Sequence, residues 1–232
     1  MMSDDTYRPM ISDEYAARLR RWHEAASIEL HNFGAREVTY LERQLVIPEY
    51  VFPPTPVSDL LGQAVLGEVR DTDRVLDMGT GCGVNAILAA SRSRDVVGVD
   101  TNPHAVAAAI RNAERNHVAD RTTFFESDVF ERVEGTFDMI TFDPSFRWFR
   151  PRDLLETSFA DENYRTLTRF MSEVRDRLNP GGRLLLSFGT TGDMNYLRHL
   201  VDRSGLAADT IASRDLTKED LTVTYRTFRL TR

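Results

Sequence analysis

From Arg74 onward, short runs of β-branched and aromatic residues alternate with segments of helical period, and that rhythm leaves little choice of architecture. Residues 75–78, 96–100, 123–126, 137–142 and 183–188 read as strands, with helices over 84–90, 104–116 and 163–178 between them. Asn179-Pro180-Gly181-Gly182 reads as a sharp turn into the last of these strands. Strand–helix–strand units joined by short connections return in the same direction, which requires parallel strands with helices on both faces. The closing pieces break the rhythm: a helix over 195–204 is followed by two successive strands, near 210–213 and over 222–230, an antiparallel hairpin at the sheet edge. The expected class is α/β, a doubly wound, mostly parallel seven-stranded sheet with an antiparallel C-terminal hairpin and an N-terminal helical and hairpin extension. No repeat or low-complexity tract interrupts it.

In that extension, Tyr15, Leu19, Trp22 and Ala26 recur at steps of three and four, so 12–30 is an amphipathic helix with Ser12 or Asp13 as its cap. Residues 37–41 and 43–47 follow as short strands, and four prolines within 48–56 stiffen a loop before a helix over 58–69. The chain divides into an extension, 1–56, that packs as a lid or brace, and a main domain, 57–232. At 232 residues one core suffices, and 41% hydrophobic content excludes a disordered chain. With 29 basic and 36 acidic residues the net charge is −7, and Lys218 is the only lysine. Such a chain is poorly suited to tracking long nucleic acid, although a local arginine patch can grip phosphate or carboxylate. Cys82 is the single cysteine and the five histidines are scattered, so neither a disulfide nor a metal ligand set is expected. No apolar run approaches ~20 residues and the acidic start Ser3-Asp4-Asp5 lacks a signal pattern, from which no membrane partner and a reducing, cytoplasmic compartment are expected.

The sharpest local feature is Asp77-Met78-Gly79-Thr80-Gly81-Cys82-Gly83, which closes one strand and opens a helix. Its three glycines let backbone approach a ligand more closely than any Cβ allows. Asp100 ends the next strand, roughly 20 residues on, and in a doubly wound sheet both strand ends point into one crevice. Its carboxylate can receive two ribose hydroxyls while the glycine loop lies beneath the rest of a nucleoside. A nicotinamide dinucleotide fold has similar parts, but Asp77 ahead of the glycines suits an ammonium group better than a pyrophosphate. Cys82 reads as a small filler, with no histidine or lysine nearby in sequence to activate a thiol.

On these residues, 75–116 resembles the class I S-adenosylmethionine-dependent methyltransferases and their Rossmann-like fold. The resemblance implies S-adenosylmethionine as cofactor, with Asp77, Gly79, Thr80, Gly81 and Gly83 around its methionyl part and Asp100 on its ribose. Thr101 and Asn102 complete that side of the cofactor set, although their first use is to start the following helix. In Glu126-Ser127-Asp128-Val129, the resemblance places Asp128 against the adenine amino group and Val129 against the ring; a helix cap or turn is the plainer use of Asp128.

The strand over 137–142 runs into Asp143-Pro144-Ser145-Phe146. Methyl transfer is an in-line attack on a sulfonium carbon, so the acceptor must be held ~3–3.5 Å from the methyl with its lone pair along the bond. The Asp143 carboxylate and the Pro144 carbonyl can pin the N–H groups of an acceptor nitrogen, while Phe146 covers a planar group. This turn resembles the Asn/Asp-Pro-Pro-Tyr/Phe signature of amino-group methyltransferases. Together with Ile47-Pro48, Val51-Phe52-Pro53-Pro54-Thr55-Pro56 and Asn112-Ala113, the overall likeness is to the small-domain and release-factor glutamine N-methyltransferase-like group, over 46–188. The resemblance implies Asp143, Pro144 and Phe146 as catalytic residues. Two positions depart from it: Asp143 where the glutamine enzymes carry asparagine, and Ser145 in place of proline. A negative acceptor suits an amine or guanidinium better than an amide. Ser145 loosens the turn, offers its hydroxyl to substrate, or caps the next segment.

Next, Phe146-Arg147-Trp148-Phe149-Arg150-Pro151-Arg152 interleaves three aromatics with three arginines. It reads as a clamp in which Ser145, Arg147 and Trp148 hold the substrate, as an RNA contact, or as buried rings alternating with solvated arginines. Tyr164, Trp22 and Tyr50 read first as packing residues. The expected activity is S-adenosylmethionine-dependent methylation of a nitrogen on a small metabolite (amino acid, amine or guanidine) or a protein side chain, with the extension closing over the acceptor. The alternatives are methylation of an RNA or DNA base amino group, a dinucleotide oxidoreductase, and a binding module without catalysis. Acceptor identity, methylation count and oligomeric state stay open.

Overall fold

The computed structural model describes residues 7–32, 34–218 and 221–232, so the acidic start Ser3-Asp4-Asp5 lies outside the described residues. In chain order the elements are α1 (Asp13–His31), the hairpin strands β1 (Arg36–Tyr40) and β2 (Arg43–Ile47), α2 (Asp59–Glu68), β3 (Arg74–Met78), α3 (Val84–Ala89), β4 (Asp95–Asp100), α4 (Pro103–Arg115), β5 (Thr122–Glu126), β6 (Phe137–Phe142), α5 (Arg165–Arg177), β7 (Leu178–Gly189), α6 (Met194–Ser204), β8 (Ala207–Lys218) and β9 (Leu221–Thr231). Seven strands form one sheet in the order β5-β4-β3-β6-β7-β9-β8, the first five parallel and β9 antiparallel to its neighbours β7 and β8. The doubly wound, mostly parallel sheet with an antiparallel C-terminal hairpin is therefore present. Among the described residues no helix is long and apolar enough to cross a membrane.

Strand alternation divides the core. Val75, Met139 and Leu185 face α2, α3 and α4, whereas Leu76, Met78, Ile140, Phe142, Leu184 and Leu186 face the α5 and α6 side, where Phe170, Val174 and Leu200 pack. Both faces are covered, so the central strands are apolar almost throughout. The strand order reverses at β3, which opens a crevice beyond the carboxyl ends of the strands flanking it. Met78 lies opposite Val99 on one side and Phe142 on the other. Gly79, Asp100 and Asp143, each the next residue along its strand, consequently emerge side by side.

Three boundaries differ from the sequence reading, each for a local reason. The helix expected from 163 begins at Arg165, because Asn163 and Tyr164 both sit at positive φ (56° and 50°) and Asp161 accepts the N–H groups of Thr166 and Leu167 at 3.0 and 2.9 Å. The turn at 179–182 is a bulge inside β7, since Leu178 pairs with Phe137 and Arg183 with Met139, and Gly181 bends at φ 76°. β8 spans 207–218 where the sequence predicts only 210–213, because its pairing with β9 carries residues too polar to read as a strand. The N-terminal hairpin is fixed to the domain through Asn112, which accepts from the Val46 N–H at 2.8 Å and donates to the carbonyls of Val46 and Cys82 at 3.1 and 2.9 Å.

Candidate active site

Gly79, Gly81 and Gly83 all have positive φ, at 65°, 54° and 85°. Their uses differ. A Cβ on Gly83 would lie 2.9 Å from both Cα and Cβ of Ala109, so this glycine lets the loop touch α4. A Cβ on Gly81 would meet nothing within 4 Å, and one on Gly79 would meet only the Phe142 ring at 3.7 Å. These two leave the inner face of the loop open to a cavity.

Asp77 lies beneath the loop and is buried. Its Oδ2 accepts from Thr80 Oγ1 at 2.7 Å and from the Ala86 N–H at 3.0 Å, and its Oδ1 accepts from Thr141 Oγ1 at 2.7 Å. Burial pushes the carboxyl up to about 6, against those hydrogen bonds. The loop's own donors reach this carboxylate first, and it is absent from the cavity wall. The contacts that Asp77 makes in the structure are structural ones, which tie the loop to α3 and β6. Thr80 keeps one edge on the cavity while its hydroxyl serves Asp77 and its N–H serves the Val99 carbonyl at 2.8 Å. Cys82 is a filler, its thiol pushed up to about 12 by burial.

Asp100 does open onto the cavity. The Gly81 N–H donates to Oδ2 and the Asn102 N–H to Oδ1, each at 2.9 Å, which fixes the carboxylate plane and leaves acceptor capacity on both oxygens. Burial raises its pKa, and these N–H groups oppose the shift. Thr101 and Asn102 also line the cavity, but the Asn102 side chain is committed to backbone: it caps α4 at the His104 N–H (2.9 Å) and donates to the Tyr50 carbonyl at 2.8 Å. Further along the wall, Asp128 pairs with Arg169 at 2.8 Å. Val129 is buried at φ 51°, a conformation that costs a β-branched residue on the order of 1–3 kcal/mol. Ser127 holds it there, donating to the Val129 carbonyl at 3.0 Å while accepting from the Arg132 N–H at 3.0 Å.

Across the crevice, Asp143 is open to the cavity yet ringed by protein. That enclosure pushes its carboxyl up to about 6, opposed by a hydrogen bond from Ser187 and helped by the charge of Asp77. Pro144, Ser145, Phe146 and Arg147 continue the wall. Ser145 donates to the Thr157 carbonyl at 2.8 Å, so its hydroxyl pins the following segment from its place on the wall. Phe146 packs on Phe188 and Tyr225, with ring centroids 5.1 and 6.0 Å away, and its carbonyl accepts from the Tyr164 hydroxyl at 2.6 Å. A Cβ on Gly192 would clash with that carbonyl, so this glycine is what lets the turn seat.

Trp148 is elsewhere. It is buried in the core against Tyr7, Phe149 and Tyr164 and takes no part in the cavity wall. The substrate contact expected for it is corrected: Arg147 bridges to Ala160 as a short strand would, and that alternation turns the next side chain inward. Tyr164 is wholly buried, Trp22 packs against the core, and Tyr50 is half exposed beside His104.

The cavity encloses about 630 Å³, a size suited to a nucleoside with a small acceptor beside it. Ala26 and Leu30 of α1 and Pro53, Pro54 and Thr55 of the proline loop border it, whereas no hairpin residue does. α1 is strapped in place by Arg152, which donates to Glu24 and Ser27, each at 2.8 Å, and by His31 against Asp153 at 2.7 Å. Sequence reasoning missed Ser187, Thr191, Tyr225 and Asp161 on the wall. Tyr225 and Ser187 arrive through the antiparallel β7–β9 register, which no local pattern announces. Asp161 had a signal, an acid just ahead of the α5 periodicity.

Comparison with known proteins gives a consistent picture. Residues 57–202 match the family described as the methyltransferase small domain. A release factor glutamine methyltransferase of Salmonella typhimurium is 37% identical over 161 residues, 62% of this chain and 56% of that protein. A ribosomal RNA small subunit methyltransferase C of Chromohalobacter salexigens is 35% identical over 152 residues, 66% of this chain and 38% of that protein. The chain thus spans little more than half the length of one of these relatives and less of the other. Among solved structures, a ribosomal protein L11 methylase of Lactobacillus delbrueckii subsp. bulgaricus superposes with a TM-score of 0.57 at 16% identity, over 78% of this chain and 81% of that one, which speaks for the fold alone.

Proposed function

The chain belongs to the methyltransferase small domain family, and from that premise we propose that it is an S-adenosylmethionine-dependent N-methyltransferase acting on a nitrogen of a small metabolite or a protein side chain. The observation that carries the reading is the placement of Asp100 and Asp143 on the two strands that flank β3, both opening onto one cavity beside glycines that no packing contact requires. Those residues fit the donor: open backbone at Gly79 and Gly81 for the methionyl part, Asp100 for the ribose hydroxyls, and Asp128 with Val129 for the adenine.

When bound, S-adenosylmethionine supplies an electrophilic methyl carbon. The work of the chain is then geometric. Asp143 accepts an N–H of the incoming nitrogen, the Pro144 carbonyl offers a second acceptor, and Phe146 packs on the group. α1 and the proline loop border the cavity beside the acceptor side. A carboxyl held near 6 is ionised at neutral pH and still basic enough to take a departing proton. The run 146–152 loses its appeal as an RNA contact, because Trp148 and Phe149 are buried and Arg152 is ion-paired to Glu156 and Glu24.

Incubation with isotopically labelled methyl donor and a fractionated lysate tests this reading. Label is expected in small solutes or protein. Label confined to RNA or DNA would replace the proposal with base methylation, and the absence of label from a protein that binds S-adenosylhomocysteine would leave a binding module.

A further inference from the structure

Arg147 is the one arginine of the run 146–152 that reaches the cavity wall. Its neighbours in the run are otherwise occupied: Arg150 faces solvent away from the cavity, and Arg152 is bound by Glu156 and Glu24. Among the described residues no carboxylate forms an ion pair with Arg147, and its Nη1 is buried without a hydrogen-bond partner. The ionisable groups that bear on its guanidinium are the phenols of Tyr225 and Tyr164, and burial lowers its pKa. It also holds down the protonation of His23, whose ring meets those of Phe149 and Phe159 at a tilt, adding to the effect of that ring's burial.

A half-buried guanidinium whose Nη1 is buried with neither counter-charge nor hydrogen-bond partner is an unfavourable arrangement, and a ligand that brings the missing anion relieves it. The wall supplies the complementary half four positions earlier. Asp143 and Arg147 lie on the same turn, face the same cavity and do not bond each other. A paired acid and base would neutralise one another; separated, they match a molecule that carries one positive or N–H-rich end and one anionic end.

Resting on the N-methyltransferase reading, we propose that Arg147 is a specificity-determining residue that receives the carboxylate of the acceptor, and that the acceptor is a free amino-acid-class compound with its nitrogen at Asp143. A carboxylate fits better than a polymer phosphate. Arg147 is the guanidinium on this wall with a buried, unpartnered nitrogen; the other charged groups lining the cavity are Arg165 and the acids Asp100, Asp128, Asp143, Asp161 and Glu162, whereas a nucleic acid backbone needs an open basic track.

The test uses the full chain saturated with S-adenosylhomocysteine and compares free L-arginine, L-glutamine, L-lysine and L-histidine with their carboxamide derivatives by calorimetry. At least one free acid should bind, with its carboxamide weaker by about 30-fold, and Arg147→Gln should lose about 30-fold on the free acid while barely changing the carboxamide. The affinity of Arg147→Gln for S-adenosylhomocysteine, unchanged within about twofold, reports that the variant is folded. Arg147→Lys should recover part of the loss, because it restores charge without the fork. Equal binding of acid and carboxamide, an unchanged preference in Arg147→Gln, or no binding of any of the four overturns the subsite. Such results leave the methyl-donor reading standing if S-adenosylhomocysteine still binds, whereas its failure to bind the wild-type chain sinks that reading first.

Discussion

Replacing Asp143 with alanine should reduce turnover about 1000-fold, close to 4 kcal/mol of barrier, while S-adenosylhomocysteine affinity stays within about twofold. The split follows from where the carboxylate lies. Asp143 leaves β6 on the far side of β3 from Asp100 and opens onto the cavity, with Ser187 on the same wall. It is therefore free to orient an acceptor and remote from the ribose subsite. Asp143→Asn separates charge from shape: an amide oxygen still accepts an N–H, so an amide acceptor should tolerate it far better than an amine or guanidinium. The pH profile gives a second readout. A carboxyl raised to about 6 is ionised above that value and protonated below it, so kcat/KM should fall as pH drops through about 6, and this limb should vanish in Asp143→Asn. A wild-type rate that is flat across that interval, or an unaltered rate in Asp143→Ala, removes the residue from the chemistry.

Asp100→Ala should weaken S-adenosylhomocysteine binding about 300-fold, the loss expected for two hydrogen bonds from ribose hydroxyls to a carboxylate at roughly 1.5–2 kcal/mol each. Part of the effect reaches the loop itself, because the Gly81 and Asn102 N–H groups lose their acceptor and such buried donors cost about 1–3 kcal/mol each when left unpaired. Asp100→Asn keeps an acceptor oxygen for one of those amides and should stay closer to wild type in thermal stability, yet it should still bind the nucleoside poorly. The comparison isolates the ribose contribution. Asp77→Asn offers the contrast: Asp77 has no atom on the cavity wall, so its substitution should register in stability before it registers in direct ligand contact.

What the sequence made legible was whatever is local. β3, the glycine loop and α3 are contiguous, and Asp100 and Asp143 each end a strand whose neighbour follows from the parallel pattern, so one sheet edge collects them. The same reasoning fell short where an outcome depended on which donor arrives first. Asp77 is the right residue type for an ammonium group, but Thr80, Ala86 and Thr141 occupy its oxygens. Trp148 was unreadable for a different reason, since a single bridge between Arg147 and Ala160 decides which side chain of the pair turns inward. Ser187 and Tyr225 reach the wall through the register of β7 against β9, a long-range pairing with no signature in either strand. The left-handed pair at Asn163 and Tyr164, which delays α5 and carries the Tyr164 hydroxyl to the Phe146 carbonyl, is likewise invisible to periodicity.

The central claim is that one crevice beside β3 takes the sulfonium nucleoside and presents its methyl to the turn at 143–146. A crystal structure of the chain with S-adenosylhomocysteine tests it most directly. The ribose hydroxyls should lie within hydrogen-bond distance of both Asp100 oxygens, with the thioether sulfur facing Asp143 and Pro144 across an open acceptor space. A nucleoside bound elsewhere, or turned so that the sulfur points away from that turn, would contradict the account.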